Sequence, residues 1–479
     1  MWSKYVGTAS RSAVLLSAFL GVSCGGGGST ALAPAPTLTS IALSPLTVSL
    51  APGGTQQLTV TGTLSDGTMQ TLAASGESFA SSNTAVVTVS AAGIVTVAAG
   101  ATAGASATIT ATDTASSVKT AVAGSTVVTV TAPAVIGPTA NSKAAATATA
   151  NNNLQCAAPL INTAYYWEIG DASGALISGV HADASGAALD PKGNPITSAT
   201  NWSVASASKW VYAAYVVEVR GSGVILGETP SSVPYDIPYL NFTSGYTYLG
   251  NFPPNSATCK LTDTVDGCLA GLPAMPDPAV ANAAAVGKFW YDSDHMEEHA
   301  TKIMGLGGDG INELQLAIQS QLGADFDFAY TDPLLAAGGY TSANAYGLFL
   351  RRILSKQYQM SATLSADAVC TNSTVSGCNA VAAQSPIAAA SNNAEAWHYS
   401  LGHWIEDDPV VGDGAFSSPG ALGFYPWIDS GMKYYGIIAR SDLNAETNGQ
   451  YEGYHSAVCG RLIRHAWMTG VEQTGAVPN

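Results

Sequence analysis

The chain has 479 residues, more than one ordinary domain holds, so two or more folded units are expected. Hydrophobic residues make up 47% and charged residues only 10%, a balance that fits a folded exported protein rather than a disordered one. Against 33 Asp and Glu stand 17 Lys and Arg, a formal charge of -16, which would repel a phosphate backbone and argues against nucleic acid as a partner.

Residues 1–23 read as an export signal. Lys4 and Arg11 supply positive charge, and Ser12 to Val22 is apolar or small throughout. That run is shorter than the roughly 20 apolar residues needed to span a bilayer, so a cleaved signal is expected rather than a membrane helix. Cys24 opens Cys24-Gly25-Gly26-Gly27-Gly28, with Ser, Thr, Ala and Pro after it. This resembles a bacterial lipoprotein signal, which implies cleavage before Cys24, lipid on its sulfur and a flexible tether over residues 24–37. The usual pattern has Leu three residues before the cysteine; here Gly21 stands there and Leu20 lies one step further back. The resemblance implies an outer-membrane-anchored lipoprotein, periplasmic or surface-facing, with plain secretion as the alternative.

Six cysteines remain, an even count that in an exported chain favours disulfides over metal or redox chemistry. Spacing suggests two local loops, Cys259–Cys268 and Cys370–Cys378, which leaves Cys156 to reach Cys459. Six cysteines allow fifteen pairings in all. The sequence has no Cys-x-x-Cys pair to suggest a zinc ribbon.

Residues 38–132 alternate short Val/Thr/Ile-rich runs with turn signals such as Gly53-Gly54 and Ser65-Asp66-Gly67, the pattern of a small all-β sandwich. Ser81-Ser82-Asn83, Val86 to Val89, Gly93-Ile94-Val95 and Ala107-Thr108-Ile109-Thr110-Ala111 resemble the bacterial Ig-like group 2 domain. The stretch has no His or Cys and few acids, so it is read as a spacer or as an adhesive module touching a cell-surface polymer. Residues 133–155 are Ala/Thr/Asn-rich and read as a linker.

The second folded unit is expected over residues 156–479. Tyr165 to Gly179 alternates around Gly170-Asp171-Ala172-Ser173-Gly174, a hairpin pattern. Helices are predicted after Ser206, at 294–306, 310–322 and 342–354, and finally from about Tyr454 to Met468. Strands are predicted at 397–405, 423–428 and 434–439. Strands first, helices in the middle, then strands and a helix is an α+β order, with early and late strands in one antiparallel sheet.

Ser206-Ala207-Ser208-Lys209 is a Ser-x-x-Lys motif at the start of an apolar helix. Residues i and i+3 share a helix face, so Lys209 would sit beside the Ser206 hydroxyl, which is inert until an adjacent base takes its proton. The same pattern occurs at Ser116–Lys119 and Ser430–Lys433, but neither opens an apolar helix. Further matches follow in order: Gly223-Val224-Ile225-Leu226 with Thr229-Pro230, Asn241-Phe242-Thr243-Ser244-Gly245-Tyr246, Tyr291-Asp292-Ser293, Leu314 to Gly323, Gly338-Gly339-Tyr340-Thr341-Ser342-Ala343 and Tyr399-Ser400-Leu401-Gly402. Together these resemble the serine β-lactamases and penicillin-binding proteins, including the related class C-type esterases.

That resemblance implies an antiparallel sheet flanked by helices, with a helical subdomain. It implies Ser206 as nucleophile, Lys209 and Tyr291 as its activators, and Ser293 bonding Lys209 or substrate. The oxyanion would be held by the Ser206 N–H and one from a late strand. Asp413-Gly414-Ala415 is the expected third motif. An acid where the family carries a cation would repel carboxylate-bearing β-lactams and peptidoglycan stems, so a neutral ester or amide is the expected small-molecule substrate. No cofactor is implied. The rival motif is His295-Met296-Glu297-Glu298-His299, which fits the inverted zinc-protease pattern, with Glu395 or Glu406 as third ligand. A non-catalytic cell-surface binding protein is the other alternative.

Overall fold

The computed structural model describes residues 36–475 apart from 51–52, 74–75, 99–100, 102–103, 114–121, 132–138, 158–159, 248–258, 260–261, 271–280, 381–384, 391–394 and 444–450. The export signal, Cys24, nearly all of the tether and the Ser116–Lys119 motif lie outside the described residues.

The N-terminal unit is all β, as its alternation predicts. Its strands are β1 (Leu38–Ser44), β2 (Thr47–Leu50), β3 (Thr55–Gln57), β4 (Thr59–Leu64), β5 (Met69–Leu72), β6 (Glu77–Ser81), β7 (Val87–Val89), β8 (Ile94–Val97), β9 (Ser106–Asp113) and β10 (Ala123–Val130). They form sheets ordered β1-β4-β5, β2-β10-β9-β6 and β3-β8-β7. Every second residue of β9 points inward, so Ala107, Ile109 and Ala111 join Val87, Val95 and Val128 in one apolar core.

The expected linker at 133–155 is not a plain linker. Its second half is helix α1 (Ala140–Asn152), capped by Thr139, whose hydroxyl accepts from Ser142 N at 3.0 Å. Low complexity hid it: alanine is the best helix former, and small residues allow close helix contact without a strong apolar pattern. Ala145, Ala146 and Ala150 are buried, and Asn153 Nδ2 donates to the carbonyls of Gln473 and Gly475.

The C-terminal unit is built on an eight-stranded antiparallel sheet. Its strands are β11 (Tyr165–Asp171), β12 (Gly174–His181), β16 (Val369–Cys370), β17 (His398–Ser400), β18 (His403–Glu406), β19 (Ala415–Ser417), β20 (Tyr425–Ile428) and β21 (Tyr435–Ala439). The order β12-β11-β21-β20-β19-β18-β17-β16 joins the early hairpin to the late strands, as the α+β reading requires. The 397–405 run is in fact the hairpin of β17 and β18.

The remaining long helices are α2 (Ser208–Arg220), α3 (Asp294–Lys302), α4 (Ile311–Leu322), α5 (Ala343–Leu354) and α6 (Glu452–Thr469). On one face α2 and α5 pack together, with Trp210 of α2 against Phe349 of α5 and stacked on His403. Gly347 brings α5 close to Glu168 of β11, where a Cβ would lie 2.9 Å from Oε1. The opposite face carries α6, whose Gly460 lies on Tyr425 and Ile438. Because both faces are covered, β20 and β21 are buried at every residue instead of alternating.

A small sheet, unforeseen in the sequence, sits at the start of α2. It pairs β13 (Asn201–Ser203), β14 (Phe328–Tyr330) and β15 (Gly339–Ser342) in the order β13-β15-β14. The Val204 N–H donates to the Gly339 carbonyl at 3.0 Å, which fixes the chain where it enters the Ser206 turn.

The three expected disulfides are present: Cys156–Cys459, Cys259–Cys268 and Cys370–Cys378. The first closes 303 residues of sequence and ties the segment after α1 to α6. Replacing Cys459 by Ser should lower unfolding free energy by about 2–5 kcal/mol in urea titrations under oxidising conditions. An unchanged midpoint would show that the α1–α6 contact holds without the cross-link.

Candidate active site

The Ser206 turn is formed by a short 3-10 segment, Ala205–Ala207, between β13 and α2. Ala205 has φ +44°, the left-handed region that a side chain rarely adopts. Strain of this kind costs of order 1–3 kcal/mol and gathers at functional sites. It persists here because Val204 is held by Gly339 and Tyr346 Oη donates to the Ala207 carbonyl at 2.8 Å.

One turn on, Lys209 is almost completely buried in α2, whose residues from Ser208 to Val217 are all buried. Its Nζ donates to Ser206 Oγ at 3.0 Å and to the Ala336 carbonyl at 3.0 Å. Burial disfavours its charged form and brings its pKa down to about 7, while Glu297 and Asp292 act in the opposite direction. The lysine beside the serine is therefore a base available near neutral pH.

Tyr291 completes the group. Its ring centroid lies 5.0 Å from Lys209 Nζ and it stacks on Trp404 with centroids 5.4 Å apart. Burial raises its pKa, and the hydrogen-bonding side chains of Ser206, Trp404 and Tyr451 oppose that rise. The phenol stays protonated at neutral pH and can act as a hydrogen-bond relay. Ser293 is buried where α3 begins, yet Lys209 bonds Ser206 and Ala336 and not Ser293.

The structure does not bring the expected third motif to Ser206. Arg464 grips Asp413 through two bonds, Nε to Oδ2 at 2.6 Å and Nη2 to Oδ1 at 2.8 Å. Gly414 N donates to the Glu406 carbonyl and Ala415 N to Asp413 Oδ1, so Asp413-Gly414-Ala415 forms the turn between β18 and β19. The strand has to run its length before it reaches the site. There Ser418 Oγ donates to the Ser206 carbonyl at 3.2 Å, and Gly420 packs on the Val204 carbonyl so closely that a Cβ could not fit. Tyr451 donates to the Pro419 carbonyl at 2.8 Å. Ser418-Pro419-Gly420, which carries no charge, is the stretch that flanks Ser206.

The rival histidines serve other bonds. His295 Nε2 donates to the Trp290 carbonyl at 2.9 Å and its Nδ1 meets Ser244 Oγ at 2.6 Å. His299 Nε2 donates to Asp236 at 3.0 Å and its Nδ1 meets Tyr212 Oη at 2.8 Å. Both imidazoles are wholly buried, and burial lowers both pKa values, that of His295 to about 3. Glu298 pairs with Lys302, Glu395 with Arg461 and Glu406 with Arg464. Among the described residues no three His, Cys, Asp or Glu side chains gather as a metal site.

Sequence reasoning missed Glu297, Ser418 and Tyr451. Glu297 is fully buried and accepts from the N–H groups of Leu335 and Ala336 at 2.9 Å each. Its only signal was a pair of adjacent acids after Tyr291, and a sequence does not tell which of the two turns inward.

Residues 37–122 match the family profile of the bacterial Ig-like domain, group 2. No curated protein matches the chain. Among solved structures, a candidate β-lactamase from Bacteroides dorei is 19% identical, with TM-score 0.42, over 64% of this chain and 94% of its own. A LovD9 mutant of simvastatin synthase from Aspergillus terreus is 14% identical, with TM-score 0.38, over 63% and 95%. EstCE1, a hydrolase with promiscuous acyltransferase activity, is 14% identical, with TM-score 0.38, over 64% and 93%.

The Arg464 cluster has a structural role that can be separated from the Ser206 group. Arg464→Met leaves the buried Glu406 and the adjoining Asp413 short of a partner, and should cost about 3–5 kcal/mol in denaturant unfolding. Equal stability of the variant and the wild type would contradict that role.

Proposed function

We propose that residues 156–479 form a serine hydrolase that cleaves an ester or amide bond through an acyl-enzyme on Ser206. The observation that carries this reading is the 3.0 Å bond between Ser206 Oγ and a buried Lys209 whose pKa lies at about 7. A lysine ammonium in water holds its proton to about pH 10.4 and could not act as a base at neutrality. Here the neutral amine can take the Ser206 proton as Oγ attacks the substrate carbonyl.

The tetrahedral oxyanion would be held by the N–H of Ser206 and that of Ala421, the residue after the Ser418–Gly420 stretch. Neither donates elsewhere among the described residues. Collapse of the intermediate expels the alcohol or amine, which takes a proton from Lys209 through the Tyr291 hydroxyl. Water then attacks the acyl carbon and passes its proton through the Tyr291 hydroxyl to Lys209; the Ser206 Oγ–carbon bond breaks, Oγ takes that proton back from Lys209, and the acid leaves.

The uncharged Ser418-Pro419-Gly420 stretch favours a neutral small-molecule ester or amide over a β-lactam carboxylate. We also propose that the protein is exported and anchored by lipid on Cys24 in the bacterial cell envelope. The Ig-like module then serves as a spacer between membrane and enzyme.

Purified protein should hydrolyse p-nitrophenyl butyrate and leave a carboxylate-bearing chromogenic cephalosporin intact. Because Lys209 acts when deprotonated, kcat/KM should rise with pH through a midpoint near 7. Ser206→Ala should abolish turnover, and Lys209→Ala and Tyr291→Phe should lower kcat by about 10²–10⁴-fold. Undiminished hydrolysis by Ser206→Ala would refute the assignment.

A further inference from the structure

Glu297 is a buried carboxylate that the reaction above does not use. It lies on α3 and reaches across to the segment before β15, where Oε2 accepts from Leu335 N and Oε1 from Ala336 N, each at 2.9 Å. The carbonyl of that same Ala336 accepts from Lys209 Nζ at 3.0 Å. One peptide segment is thus held between a carboxylate on one side and the amine beside the nucleophile on the other. Burial raises the Glu297 pKa to about 7, and the N–H groups of Ala336 and Leu335 and the charge on Lys209 oppose that rise.

We infer that Glu297 is a positioning residue for the Ser206–Lys209 pair: it clamps the Leu335–Ala336 peptide that anchors Lys209 Nζ, and when ionised it favours the ammonium form of Lys209. This rests on the serine-hydrolase reading. Lys209 is faced by Glu297 and His295 from α3, by Asp292 from the segment before it, and by the rings of Phe242 and Tyr291. Glu297 in turn is faced by Lys209 and Tyr212 from α2, by Asp294 of its own helix and by Tyr330 of β14. Of the two acids acting on Lys209, Glu297 has the larger effect, and it favours the protonated amine.

The test is the pH profile of kcat/KM for p-nitrophenyl butyrate in the full chain, compared for wild type, Ser206→Ala, Glu297→Gln and Glu297→Asp, with thermal melting of each. Glu297→Gln removes a carboxyl that favours the ammonium when ionised, so the rising midpoint should move down, by about half a pH unit or more. It should also lower the plateau by about tenfold or more, because Lys209 loses its fixed anchor. Glu297→Asp keeps the charge, so its midpoint should stay at the wild-type value while its plateau falls.

Activity that survives in Ser206→Ala would overturn the hydrolase reading itself. Ser206-dependent activity with the same midpoint in Glu297→Gln as in wild type would overturn the positioning role alone. If melting shows that Glu297→Gln does not fold, Glu297→Asp decides. A retained midpoint with a reduced plateau supports the role, and a wild-type plateau or a displaced midpoint overturns it.

Discussion

The C-terminal unit is organised around a lysine that has been taken out of water. Lys209 lies inside α2 with its amine between Ser206 Oγ and the Ala336 carbonyl, and burial lowers its pKa to about 7. An ammonium there without partners would be expensive. The surrounding elements therefore answer to it: β13 and β15 fix the turn that carries Ser206, α3 brings Glu297, and β18 supplies the Trp404 surface on which Tyr291 stacks.

The other buried charges are arranged differently. Arg461 and Arg464 of α6 meet Glu395, Glu406 and Asp413 in a cluster with Tyr425, and Arg440 pairs with Glu452. Each arginine there is ion-paired with at least one acid, as in a structural network. Around Lys209, burial and the two nearby acids act in opposite directions and leave a group that changes charge near neutral pH.

Much of this was legible in the sequence, because some signals are local and physical. Alternating Val and Thr fixed the β character of the first unit, and Ser206 and Lys209 at i and i+3 can hardly avoid meeting once α2 forms. The cysteine pairings followed from short loops and a remainder. What was not legible depended on tertiary contact. An Ala-rich stretch gave no apolar periodicity to mark α1, which is specified by its packing on α6. The third motif expected at Asp413-Gly414-Ala415 lies in a turn and not at Ser206. A strand's reach is set by its register, and β19 brings Ser418 to Ser206 while its start turns away to Arg464. The short His-x-x-Glu-His pattern was shared by a buried helix whose imidazoles bond Trp290, Ser244, Asp236 and Tyr212.

The central claim is that the buried Ser206–Lys209 pair makes Ser206 an activated nucleophile. The most direct measurement is the intact mass of the purified protein after incubation with a fluorophosphonate, followed by peptide mapping of wild type and Ser206→Ala. The account predicts one adduct per chain, located on Ser206 and absent from the variant. A folded wild-type protein that takes up no adduct, or takes it up at another residue, would contradict it.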